Sequence, residues 1–170
     1  GDLTAVGEHK VWRSIWTYCT SLFGDGDPPA YCGSGTFVSV RGLPCLLTAA
    51  HVWEQAGRQE ALGFVLEAER PPAWVTTTAM QTRFVSSRLS DDWGPDIAIV
   101  SFHARDARRL ESEKAFYRVE RDRTLPDEPR SSEELWAVVG ASGELSTFGS
   151  TEAILKNHML GASVPQHVTR

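Results

Sequence analysis

The chain has 170 residues, a formal net charge of −5 at pH 7, and a hydrophobic share of 41%. This length fits one domain of ordinary size or two small lobes. The acidic balance disfavours non-specific nucleic-acid binding, and no run reaches the roughly 18 apolar residues that a membrane span requires. We therefore expect a globular protein with no nucleic-acid partner and no membrane partner.

Three cysteines, Cys19, Cys32 and Cys45, give an odd count and no tandem metal-ligand spacing. A secreted domain more often carries an even set of cysteines. The residues from Gly1 onward lack the basic start and apolar core of a signal peptide, although a first residue other than Met leaves a lost targeting signal open. We expect a reducing, cytoplasmic location, with Cys32 and Cys45 as small buried residues rather than a disulfide.

The first hundred residues predict a series of short strands separated by turn signals. Gly24–Pro29 is predicted as a loop, and Arg41-Gly42-Leu43 as a tight hairpin turn. Six or so short strands of this kind favour a small antiparallel barrel or sandwich. The strand candidates are Val11–Ser21, Thr36–Val40, Pro44–Thr48, Ala61–Ala68, Ala73–Thr78, Met80–Ser86 and Asp96–Phe102.

The composition changes after the last of these strands, where a densely charged stretch follows. Ala104–Lys114 is predicted as a short surface helix, and strand character resumes at 135–140 and weakly at 151–155. We expect residues 1–103 to form an N-terminal β-barrel, 104–133 a charged connector, and 134–170 the start of a second barrel. A solvated excursion within a single lobe remains the alternative for the charged stretch.

Two residues carry the pattern of a catalytic pair. His51 follows the small residues Thr48-Ala49-Ala50 at the end of a strand, and Asp96 stands at the start of an almost continuously apolar strand. A histidine is the natural general base near neutral pH, and a held carboxylate fixes its tautomer and stabilises the imidazolium. The pair, in the order His then Asp, predicts two members of a triad that activates a nucleophile.

The segments 33–38, 47–51 and 96–100 resemble three landmarks of the first barrel in trypsin-like (chymotrypsin-fold) serine peptidases. They are most similar to the disulfide-poor bacterial branch that includes HtrA-like and glutamyl-endopeptidase-like enzymes. The resemblance covers residues 8–103 well and 134–156 loosely. It implies an all-β, chymotrypsin-like double β-barrel, complete in its first barrel and partial in its second, with the active site in the cleft between them.

The resemblance also implies an activity. His51 would be the general base and Asp96 its orienting carboxylate in a serine endopeptidase that cuts protein or peptide substrates. Val52 stands where the secreted members carry a disulfide-forming cysteine, in agreement with a cytoplasmic or bacterial protein. We expect no cofactor and no metal site.

The nucleophile is the missing member of this pattern. The nearest match to the family's Gly-x-Ser-Gly turn is Gly140-Ala141-Ser142-Gly143, but Glu144 follows where a small residue is expected. We expect Ser142 to be a turn residue and the nucleophilic serine to lie beyond Arg170, so that a further segment or chain completes the second barrel and this stretch alone is inactive. Two alternatives remain open: a compact protease that uses Ser142, and an inactive pseudoprotease or interaction module of the same fold.

Overall fold

The structure is a computed structural model. It describes residues 14–67, 70–84 and 96–120, together with the backbone of residues 136–141, 147–148, 153–154 and 157–163.

The described residues form mostly antiparallel β-structure with short helices. The first eight strands are β1 Cys19–Gly24, β2 Tyr31–Val40, β3 Leu43–Thr48, β4 Ala61–Phe64, β5 Ala73–Thr76, β6 Gln81–Phe84, β7 Ala98–Ser101 and β8 Tyr117–Arg118. Four more follow, β9 Trp136–Ala141, β10 Thr147–Phe148, β11 Ala153–Ile154 and β12 Asn157–Ser163. Helix α1 covers Ala50–Ala56, helix α2 covers Ala104–Glu111, and a 3-10 turn covers Thr77–Ala79.

The main sheet has the strand order β5-β4-β1-β2-β3-β7-β6, with β8 added in parallel to β2. In a flat sheet the end strands β5 and β6 would lie six spacings apart, about 29 Å. Only the residues between Thr76 and Gln81 join them, and five Cα steps span at most about 19 Å. The sheet must therefore curl until its two end strands approach one another.

The inside of the curl is filled by aromatic rings. Phe37 and Phe64 have ring centroids 5.9 Å apart, and Phe102 lies 5.6 Å from Phe64. Phe116, from the segment after α2, lies 5.0 Å from Phe37. Tilted and edge-on contacts of this kind contribute packing energy beyond the area they bury. This cluster ties the strands of the curled sheet to the segment that follows α2.

The predicted hairpin at Arg41-Gly42-Leu43 is confirmed, with Leu43 already the first residue of β3. Arg41 and Gly42 both have positive φ, 52° and 78°. Two such residues form the turn whose twist matches that of an antiparallel pair. The predicted loop after Gly24 is also confirmed, since β1 ends there and β2 begins at Tyr31.

The predicted strand Val11–Ser21 is wrong over much of its described length, because strand structure begins at Cys19 and residues 14–16 are helical. The reason lies in the partners of this segment. Thr17 O accepts from the backbone N–H of Ala115, 3.2 Å away, and the Lys114 ammonium donates to Trp16 O. The segment after α2 therefore holds these residues in place of a neighbouring strand.

Other elements differ mainly in length. β4 ends at Phe64, β5 gives way to the 3-10 turn, and β7 is shorter than predicted at both ends. The candidate Met80–Ser86 contains β6, and its last two residues lie outside the described ones. β9 agrees with the predicted strand 135–140 to within one residue at each end, and β11 lies inside the weak prediction 151–155. β12, which pairs with β9 antiparallel, was not predicted.

The charged stretch begins with the predicted surface helix, which is confirmed as α2. One side of α2 is buried through Ala107 and Leu110. β8 pairs in parallel with β2, with Tyr117 opposite Val38 and Arg118 opposite Ser39. Residues 104–120 thus pack on the main sheet. Residues 121–133 lie outside the described part, and the division at 103 and 133 stays a prediction.

The three cysteines have free thiols. Cys32 and Cys45 are buried, 8% and 3% exposed, which confirms them as small buried residues. Burial raises the pKa of both thiols. Among the described residues, no helix combines the length and the apolar character needed to cross a membrane.

Lys114 is a buried cation, 4% exposed. Its ammonium donates to Trp16 O and lies 4.3 Å from the centroid of a Trp16 ring. Loss of water around the charge lowers the pKa of Lys114 from 10.5 to about 8, and the nearby Cys19 and Glu67 oppose this shift. The ammonium therefore loses its proton at a lower pH in the folded protein than in the unfolded chain.

Lys114 predicts a specific dependence of stability on pH. Between pH 8 and 10.5 the unfolded chain binds more protons at this amine than the folded chain, so the free energy of unfolding rises with pH. The contribution is on the order of 1–3 kcal/mol. Urea unfolding across this range should show the rise in wild type relative to Lys114→Met. Equal pH slopes for the two proteins would contradict the assignment.

Candidate functional site

His51 stands in the first turn of α1, directly after the end of β3. The end of β3 is fixed to β2, because Thr48 Oγ1 donates to Ser34 O at 2.7 Å. Ala49 is extended, with φ −70° and ψ 143°, and its carbonyl accepts the first helical hydrogen bond, from Trp53 N at 3.1 Å. The chain thus changes from strand to helix within one residue, which sets the position of His51.

Trp53 anchors α1 to the sheet. Its side chain is 5% exposed, and its indole N–H donates to Thr82 Oγ1 on β6 at 2.6 Å. Ala50 and Ala56 are buried on the same helix. A helix of this length is not stable alone, so tertiary contacts of this kind keep it folded.

Asp96 reaches the start of α1 from the neighbouring strand. β3 and β7 pair with Thr48 opposite Ala98, so Asp96 lies just past the last pair, beside Ala50. Asp96 O accepts from Ala50 N at 3.3 Å, and Asp96 Oδ1 accepts from His51 N at 3.0 Å. The cap residue Ala49 offers no side-chain acceptor, and Asp96 therefore satisfies two N–H groups that the helix leaves open.

The second carboxylate oxygen of Asp96 contacts the imidazole, His51 Nδ1 to Asp96 Oδ2. An ionised carboxylate only accepts hydrogen bonds, so Nδ1 carries the proton and donates it. In the neutral ring Nε2 then keeps its lone pair. The His51 side chain is 51% exposed and that of Asp96 36%, so the ring is open to a group approaching from solvent. The arrangement can accept a proton at Nε2.

Gly33 leaves room for Val52, the residue after His51. Its φ is +149°, a value that residues with a Cβ rarely adopt, and a Cβ there would lie 2.6 Å from Val52 Cγ1. Val52 therefore packs directly on the backbone of β2. The sequence indicated a strand opened by glycine, but not this contact, nor that between Trp53 and Thr82. Their partners are far apart in the chain, and no local pattern identifies them.

The structure thus brings together the two residues that the sequence singled out, His51 and Asp96, while their catalytic roles stay predictions. Ser142 lies outside the described residues. Within the part of the chain that the structure describes, no group of three or more His, Cys, Asp or Glu residues could hold a metal ion.

No family model, curated protein or solved structure matches this chain. The resemblance to trypsin-like peptidases therefore depends on the segments around Gly33, His51 and Asp96 themselves.

Gly33→Ala should destabilise the protein by roughly 1–3 kcal/mol, because it combines backbone strain with a clash against Val52. Gly42→Ala is the matched control, since Gly42 also has positive φ but nothing lies within 4 Å of its added Cβ. Urea unfolding of both variants measures the difference. Equal losses of stability in the two variants would show that backbone strain alone accounts for the effect and that the Val52 side chain moves aside without a cost.

Asp96→Asn should lower the free energy of unfolding by about 1–2 kcal/mol. In wild type, the His51 N–H and the imidazole Nδ1 each bond a different carboxylate oxygen of Asp96, whereas the asparagine amide offers only one acceptor oxygen. Glu111→Gln, an exposed change of the same kind at the end of α2, is the control and should change little. Chemical denaturation with a helix-sensitive signal measures both. An Asp96→Asn protein as stable as wild type would contradict this account of the α1 start.

Proposed function

We propose that this chain is part of a trypsin-like serine endopeptidase in which His51 is the general base and Asp96 orients it. One observation carries the proposal: Asp96 holds His51 at two points, its backbone N–H and its Nδ1. This contact fixes the imidazole ring through Nδ1 and leaves Nε2 available to accept a proton. A general base of this kind contributes roughly 10²–10⁴ in rate.

In the proposed reaction, His51 Nε2 takes the proton of a serine hydroxyl as its oxygen attacks the peptide carbonyl carbon. Asp96 stabilises the imidazolium that forms. His51 then gives the proton to the leaving amine, and an acyl-enzyme remains. Water, deprotonated by the same imidazole, hydrolyses the acyl-enzyme and restores the serine.

The fold is part of the proposal. The curled sheet of β1–β7 would be the first barrel of a chymotrypsin-like double β-barrel, and β9–β12 the beginning of the second. The nucleophile would come from a segment beyond residue 170 or from another chain that completes the second barrel. Three free thiols support the proposed location in a reducing, cytoplasmic compartment.

A fluorophosphonate probe tests the proposal on the full-length gene product. The probe should label the wild-type protein, and His51→Ala should reduce the labelling rate at least about 10²-fold, because the serine loses its base. His103→Asn is the matched control, since His103 is an exposed histidine that caps α2, asparagine keeps a cap acceptor, and labelling should not change.

The same assay separates the alternatives. Labelling that disappears in Ser142→Ala would assign the nucleophile to Ser142 in a compact second lobe, and retained labelling would exclude it. A folded full-length protein that the probe does not label would contradict the peptidase and favour an inactive pseudoprotease or interaction module.

A further inference from the structure

The solvent-facing side of α2 carries three arginines, Arg105, Arg108 and Arg109, here called the arginine face. All three are exposed, while Ala107 and Leu110 turn toward the core. Residues spaced three and four apart are neighbours on a helix surface. The three arginines therefore lie on one side of α2, on a chain whose net charge is −5.

Arg105 does not serve the stability of α2, whereas Arg108 and Arg109 stand in its last turn, where the negative end of the helix dipole favours a cation. Arg105 stands in the first turn, where the positive end of the helix dipole opposes a cation. It also forms like-charge pairs at i, i+3 and i, i+4 with Arg108 and Arg109, and such pairs destabilise a helix. The ion pairs found among the described residues join other side chains, so none of the three arginines is neutralised there.

The helix that presents these arginines is firmly held. Leu110 is fully buried, and Ala107 is 2% exposed. His103 Nδ1 accepts from Arg105 N at 3.4 Å, and Ser112 Oγ donates to Arg109 O at 2.6 Å. A surface whose backbone is already ordered loses less entropy when a partner binds.

We propose that the arginine face binds a carboxylate-rich peptide segment of a partner protein. The planar guanidinium group donates two parallel hydrogen bonds to a carboxylate. At physiological salt, charges more than about 8 Å apart are largely screened, so a short peptide responds mainly to the charges of α2, where the three arginines outnumber Asp106 and Glu111. An extended polyanion, a nucleic acid or a bilayer, would also meet the acidic remainder of the surface.

This surface is separate from the His51–Asp96 pair and does not depend on the proposed function. Asp96 precedes β7, whereas α2 follows its end, so the two lie at opposite ends of that strand. Binding at the arginine face can therefore be measured without any catalytic readout.

Fluorescence anisotropy with a fluorescein-labelled oligo-glutamate peptide tests the proposal on the whole chain. The triple variant Arg105→Gln/Arg108→Gln/Arg109→Gln should raise Kd at least about tenfold, since it removes three charge-assisted contacts. The matched control, Arg58→Gln/Arg83→Gln/Arg118→Gln, removes the same charge from other exposed arginines and should raise Kd less than about threefold. Added salt should weaken the wild-type complex.

Lysine replacements at the same three positions keep the charge but lose the guanidinium fork, so their Kd should fall between those of wild type and the glutamine triple variant. The single variant Arg108→Gln repeats the test with a smaller change. No binding of the peptide, or an equal loss in the control, would overturn the proposal. Tighter binding of oligodeoxythymidylate or of phosphatidylserine vesicles by the same face would also overturn it, in favour of that partner class.

Discussion

The carboxylate of Asp96 joins two parts of the structure that the chain itself keeps apart. Asp96 accepts from the backbone of His51, from the imidazole Nδ1 and, through its own carbonyl, from Ala50. Because Ala49 provides no cap, the start of α1 depends on this neighbouring residue. The contact that holds the helix is therefore the same contact that selects the tautomer of His51. Because both side chains are partly exposed, the contact between His51 and Asp96 contributes only about 1 kcal/mol or little more to stability. It nevertheless fixes the position of His51 through two hydrogen bonds, one to the backbone N–H and one to Nδ1.

That contact depends in turn on the sheet. His51 and Asp96 are 45 residues apart, and they meet because β3 pairs with β7 in a register that places Thr48 opposite Ala98. A slip of one residue would turn the side chains of β7 to the opposite face of the sheet. Ala98 and Val100 are fully buried within the curl, and their burial fixes the register. The apolar core thus determines where the carboxylate lies.

The sequence predicted the features that depend on local chemistry. The hairpin at Arg41-Gly42 follows from Gly42, which accepts positive φ without a steric cost, and α2 lies within the predicted surface helix Ala104–Lys114. It failed where distant partners decide the structure: the region before Cys19 has the composition of a strand, yet Lys114 and Ala115 hold part of it in another conformation. β12 was missed because its pairing partner β9, rather than its own pattern, defines it.

The candidate site shows the same division. His51 and Asp96 could be selected as a pair from their contexts, and the structure brings them together. The contacts of Gly33 with Val52 and of Trp53 with Thr82 support the site from other strands, and no spacing in the sequence reveals them. Supporting residues of this kind become visible only when the register of the sheet is known.

The tautomer of His51 tests the central claim most directly. A long-range proton–nitrogen NMR spectrum, with the His51 signals assigned by their loss in His51→Gln, distinguishes a ring protonated at Nδ1 from one protonated at Nε2. At a pH where the ring is neutral, the contact with Asp96 predicts a proton on Nδ1 and an unprotonated Nε2. A neutral ring that carries its proton on Nε2 would contradict the hydrogen bond from Nδ1 to Asp96, and with it the proposed role of His51 as a general base.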